Sequence, residues 1–236
     1  MRSGVALVLL AGSSILAGCG PSALRRQREE DRSVELGKAE RVRAVVNMGA
    51  GELRIQGGAG RLLESHFLYA RGAAPEIRYE ETGFRGTLTV RQRSAVLSLG
   101  PRGKVADRWE LTLTDSIPLD LETKLGAGQG ILDLRGLNLS GLDMELGAGQ
   151  VELNLAGEWK RGFEARIRGG VGQADIRLPR TVAIEANAVG GIGEIEAPGF
   201  RQSGHRYTYD PPGPSGVTIR LNVRGGIGQI RLVLAD

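Results

Sequence analysis

Few of the 236 residues in this chain are of the types that catalysis draws on, and those few are scattered. Histidine occurs twice, at His66 and His205, and cysteine once, at Cys19. A Ser-His-Asp or Cys-His site needs a base beside its nucleophile and a third group to orient that base. Two isolated histidines and one thiol are poor material for it. Zinc sites draw their ligands from the same short supply, so no metal and no cofactor is expected. Carboxylate chemistry remains. Glycoside hydrolysis uses two carboxylates about 5–10 Å apart. The repeat described next would stack Arg54, Ile131, Glu152, Asp175, Glu196 and Arg231 in one outward column, with Glu152, Asp175 and Glu196 on rungs about 5 Å apart. A solvated face explains that column better. A non-enzymatic module is therefore the leading expectation, and a β-helix carbohydrate-active enzyme the alternative.

The elements that would position these side chains announce themselves through glycine. A four-residue pattern, Gly, then Ala, Val or Ile, then Gly, then Glu or Gln, begins at Gly49, Gly126, Gly147, Gly170, Gly191 and Gly226. Its spacings are 77, 21, 23, 21 and 35 residues, and a recurring step near 22 marks stacked supersecondary units. After each motif the apolar residues alternate, as in Val151, Leu153 and Leu155 or Ile230, Leu232 and Leu234, the period of a half-buried strand. A second alternating run precedes it, for example Leu142, Met144 and Leu146. Strand, Gly-x-Gly corner and strand fit one coil of a β-solenoid. Glycine suits a corner because it adopts positive φ without steric cost. The Ala, Val or Ile between the glycines is expected to point inward, and Glu52, Gln129, Gln150, Gln173, Glu194 and Gln229 to stack as a ladder. A phosphate loop would require a helix after the glycines, and a calcium β-roll an Asp where Ala174 stands. Neither context is present.

Met1-Arg2-Ser3, an apolar run from Val5 to Ile15, and Leu16-Ala17-Gly18-Cys19 form a secretory leader rather than a spanning helix. The last four residues resemble the lipobox of bacterial lipoproteins, which implies lipidation of Cys19 and cleavage before it. Several acyl chains on one residue hold a protein stably to a membrane. Gly20, where inner-membrane lipoproteins often carry Asp, implies the outer membrane, periplasmic side or surface, in a cell that has one. Residues 20–43 are rich in charge and poor in apolar side chains, the composition of a tether. The expected division is a signal peptide at 1–18, a lipidated cysteine and charged tether at 19–43, and a repeat domain at 44–236. The formal net charge of +4, with acids interspersed among the arginines, gives no reason to expect nucleic acid.

The 77-residue gap holds further alternating runs divided by turn signals, among them Leu63 to Tyr69 and Trp109 to Leu113, so the whole domain is expected to be all-β. From Gly199 to Gly216 the register breaks. That segment collects Phe200, His205, Arg206, Tyr207 and Tyr209, and is the candidate recognition loop.

Together with the glycine motifs, Arg108-Trp109-Glu110-Leu111, Ile117-Pro118-Leu119-Asp120-Leu121 and Ala197-Pro198-Gly199-Phe200 resemble the LiaF-like, or toast-rack, bacterial envelope proteins. The resemblance spans nearly all of the chain after the leader. It implies a β-solenoid-like envelope domain with adhesin-like or stress-sensing roles, and no catalytic residues. The partners it implies are the membrane, through Cys19, and cell-wall or envelope proteins or glycans.

Overall fold

Alternating apolar residues on both sides of every glycine motif produce unusually long strands. The computed structural model describes residues 27–70, 73–92, 107–213 and 216–236; Cys19 and the leader lie outside them. Every regular element among the described residues is a strand: β1 (Gln27–Val34), β2 (Arg41–Gly57), β3 (Leu63–Ala70), β4 (Pro75–Thr82), β5 (Arg85–Gln92), β6 (Arg108–Leu113), β7 (Leu119–Asp133), β8 (Leu139–Asn154), β9 (Glu164–Pro179), β10 (Ala183–Glu196), β11 (Arg201–Ser203), β12 (Arg206–Tyr209) and β13 (Thr218–Ala235). They form one mixed sheet in the order β1-β3-β6-β2-β7-β8-β9-β13-β10-β12-β11, with β5 on the first part of β2 and β4 on β5.

The motif sits in the middle of the six longest strands and shifts the phase of each. On β7 the buried apolar residues are Leu119, Leu121 and Leu125 before the glycines and Leu132 after them; on β8, past a register shift that follows buried Leu139, they are Leu142, Met144 and Leu146, then Val151 and Leu153. Odd gives way to even on one strand and even to odd on the next. The core therefore stays on the same side of the sheet along both halves of each strand. Gly149, at φ +137°, shows why glycine is required. A Cβ there would lie 1.8 Å from the carbonyl oxygen of Gly128 on the neighbouring strand, and the contact recurs from Gly172 to Gly149. The motifs align in register through β2, β7, β8, β9, β13 and β10, all parallel.

Three expectations are corrected. The residue between the glycines points outward: Ala50, Ala127, Ala148, Val171, Ile192 and Ile227 are all exposed. The phase shift places two outward residues in succession, so the second of them cannot fill the core. The strands also do not stack in chain order, because β13 lies between β9 and β10. Ile219, Leu221, Val223, Ile230, Leu232 and Leu234 are buried along both halves of β13, whereas β10 buries only Ile184, Ala186 and Ala188, all in its first half. The strand with more apolar surface takes the interior position. Finally, β1 runs from Gln27 to Val34, within the segment expected to be tether. β1 is held by its ladder to β3 and by Arg32, whose guanidinium donates to Glu30 at 2.7 Å and lies 5.9 Å from the centre of the Phe67 ring.

Candidate functional site

Residues projecting outward just beyond the glycine motifs form a continuous row across nine strands. In strand order it reads Asp31, His66, Glu110, Arg54, Ile131, Glu152, Asp175, Arg231 and Glu196. The alternating pattern of each strand turns one member of the row toward solvent, and parallel register lines them up. Acids and bases largely interleave, so the face presents donors and acceptors together without a strong field of either sign.

This register dissolves the expected acidic cluster. Glu152 and Asp175 are neighbours, but Arg231 separates Asp175 from Glu196, because β13 is inserted there. Its Nε is 2.9 Å from Glu196 and 3.9 Å from Asp175. A guanidinium between two carboxylates neutralises them, and a pair sharing a proton would need the opposite. The six Glu and Gln positions next to the motif do align, yet the amide hydrogens are drawn sideways. Gln173 Nε2 donates to Asp175 Oδ2 at 2.9 Å and Gln229 Nε2 to Glu196 Oε1 at 2.8 Å.

At the β1 end the row sinks into a groove of about 520 Å³ between β1, β3, β6 and β2, lined by Asp31, Ser33, His66, Glu110, Arg54 and Gln56 among others. His66 is its centre. Asp31 Oδ1 lies 2.7 Å from Nδ1 and Glu29 Oε1 3.2 Å from Nε2. The hydrogen bond to Asp31 raises the imidazole pKa against the opposing effect of burial. With a carboxylate on each nitrogen, the protonated ring is favoured and neither nitrogen is free to serve a nucleophile. At the rim, burial raises the pKa of Glu52, but hydrogen bonds from Arg54 and Arg108 outweigh it and the net shift is downward. The alternation from Leu63 to Tyr69 turns His66 outward, but its partners Asp31 and Glu29 come from the segment expected to be a charged tether. Among the described residues, no three His, Cys, Asp or Glu are grouped to hold a metal ion.

The segment 199–216 contributes the hairpin β11–β12, whose second strand pairs with the first half of β10. Tyr207 is buried, and its hydroxyl accepts from Gln202 Nε2 at 3.1 Å. Phe200 and Tyr209 pack on each other at 6.0 Å, both half-buried against the core. His205 and Arg206 remain exposed. The aromatic residues that singled the segment out in sequence thus cover β10, and the polar pair faces outward. Cys19 lies outside the described residues.

Comparison with solved structures returns a protein from Clostridium sporogenes ATCC 15579 provisionally described as a cell adhesion protein, 28% identical, with a TM-score of 0.76 over 89% of this chain and 100% of that one. A provisional adhesin from Bacteroides fragilis NCTC 9343 is 11% identical over 89% of this chain and 98% of its own, with a TM-score of 0.31. A provisional lipid binding protein from Parabacteroides distasonis ATCC 8503 is 9% identical over 88% and 97%, with a TM-score of 0.25. Likeness as distant as the latter two carries no argument. No curated protein matches. Residues 23–177 match the family described as the N-terminal domain of toast_rack, DUF2154, and with that match spanning well over half its length the chain belongs to the toast-rack family.

Proposed function

We propose that this protein is a non-enzymatic, adhesin-like module of the bacterial cell envelope, held to a membrane by lipidated Cys19. Its six motif-bearing strands act as coils of a β-solenoid with Gly-x-Gly corners, stacked out of chain order. The observation that carries the functional reading is the likeness to the Clostridium sporogenes cell adhesion protein along that chain's full length. The row from Asp31 to Glu196 is the contact surface we favour. Its groove around His66 offers closely spaced donors and acceptors, chemistry suited to glycans or polar segments of envelope proteins. His205 and Arg206 at the far end of the sheet supply a second contact point. Gly20 after the cysteine favours the outer membrane where the cell has one.

The anchor is tested by mass spectrometry and membrane fractionation of the full chain expressed in a bacterium, beside Cys19→Ser. A lipid-sized mass increment and membrane partitioning, both lost in the variant, are expected. A soluble, unmodified wild type would sink the anchor. The surface is tested by retention on isolated cell-wall glycan and envelope protein. Arg54→Glu should weaken retention, and equal retention by wild type and variant would move the contact surface elsewhere.

A further inference from the structure

Three branched apolar side chains stand in the open at one place in the fold. Ile192, Ile227 and Val171 are 72%, 52% and 52% exposed. They occupy the central position of the motif on β10, β13 and β9, side by side in register. Alanine fills the same position on β8, β7 and β2, as Ala148, Ala127 and Ala50. The backbone geometry therefore does not demand a bulky residue there. Each is flanked by glycines, which offer no side chain to cover it. A contiguous exposed apolar patch of this kind marks contact with something outside the chain.

The placement of β1 indicates what that is. Gln27 pairs with Ala70, and the Ala70 N–H donates to Asp107 Oδ1 at 3.0 Å. The Asp107 carbonyl in turn accepts from the N–H of Glu52 at 2.8 Å, beside the first motif. The start of β1 is thus level with the row of motifs, at its alanine end, and the row runs from there across the sheet to Ile192. Residues 20–26 separate Cys19 from Gln27, a length of at most about 25 Å. At about 4.8 Å per strand, Val171 and Ile192 lie roughly 30 and 40 Å from Gln27 in the plane of the sheet. A short link from an anchored cysteine brings this edge of the sheet toward the bilayer. A protein partner would need about 800 Å² from each side, more than three side chains set in glycine backbone provide. Shallow insertion into lipid needs far less when an anchor already holds the molecule at the surface. Arg224, outward on β13 just before the motif, adds charge that anionic headgroups attract.

We infer that Val171, Ile227 and Ile192 form a membrane-contact ridge, so that the anchored domain lies with its glycine motifs against the lipid surface; this rests on the lipidation proposed above. The test uses the lipidated full chain in vesicles of phosphatidylethanolamine and phosphatidylglycerol, beside Cys19→Ser. Ile192→Trp reports on the ridge and Glu158→Trp on an exposed loop away from it. With brominated acyl chains, Ile192→Trp should shift to the blue and lose emission while Glu158→Trp does not. Adding Val171→Ala and Ile227→Ala should reduce that quenching without releasing the chain from the vesicles. A chain that floats with the vesicles but shows the same emission from both reporters overturns the ridge and leaves the anchor standing. A wild-type chain that does not float overturns the anchor, and the ridge with it.

Discussion

A methyl group added at Gly149 has nowhere to go. The position combines a φ of +137° with a neighbouring carbonyl 1.8 Å from where the Cβ would sit. Backbone strain alone costs about 1–3 kcal/mol, and separating the strands adds loss of packing. Gly149→Val should lower stability by about 3 kcal/mol or more, against less than about 1 kcal/mol for exposed Gln150→Ala. Thermal unfolding compares the two, and similar small losses would remove the steric account. A second residue-scale prediction concerns β1, which two titrations hold from opposite sides. The His66 pKa is raised in the folded chain from its usual 6.5, so its contribution is complete below that value and fades as pH rises through the folded one. Glu30 is lowered from 4.5 to about 2 by hydrogen bonds from Arg32 and then Tyr69, so its contribution is present above 4.5 and fades as pH falls toward about 2. Amide exchange of β1, corrected for intrinsic rate, should be slowest between those limits. His66→Gln should flatten the alkaline side and Glu30→Gln the acid side; unchanged profiles would detach β1 from both groups.

Parallel strands joined mostly to their neighbours behave as a quasi-one-dimensional array. Damage at one end should stay local. Tyr207 on β12 is buried against the first half of β10, which is otherwise a sheet edge on that side. Truncating a buried aromatic costs about 3 kcal/mol, and Tyr207→Ala should speed amide exchange at 184–188 far more than on β7 or β8. Uniform acceleration across the sheet would mean that the array unfolds as one unit. The hairpin also shows why its role was hard to foresee. Phe200, Tyr207 and Tyr209 break the 22-residue rhythm, as a binding loop would, but breaking a rhythm is equally what a cover for the last strand does.

At the scale of the whole molecule, the interior position of β13 ties the C-terminus to the rest. The family match ends at Arg177, within β9, and a chain cut after Pro179 would lose β10 to β13. Ala165, Ile167, Ile176 and Leu178 of β9 would then flank an open parallel edge, a template for pairing with another chain. Such a truncation should self-associate in size-exclusion chromatography where the full chain does not; a monomeric fragment would show that β9 is a sufficient terminus. The sequence by itself determined the all-β class, the glycine motifs and their common register, since period-two alternation and glycine placement are local properties. It also carried the outward row containing Glu152, Asp175, Glu196, Arg54 and Arg231. Tertiary structure alone decided that Arg231 stands between Asp175 and Glu196, that His66 meets Asp31 and Glu29, and that Val171, Ile192 and Ile227 face solvent. Periodicity states which residues share a face; the order in which strands associate follows from how much apolar surface each can bury between two neighbours, a comparison no single segment contains.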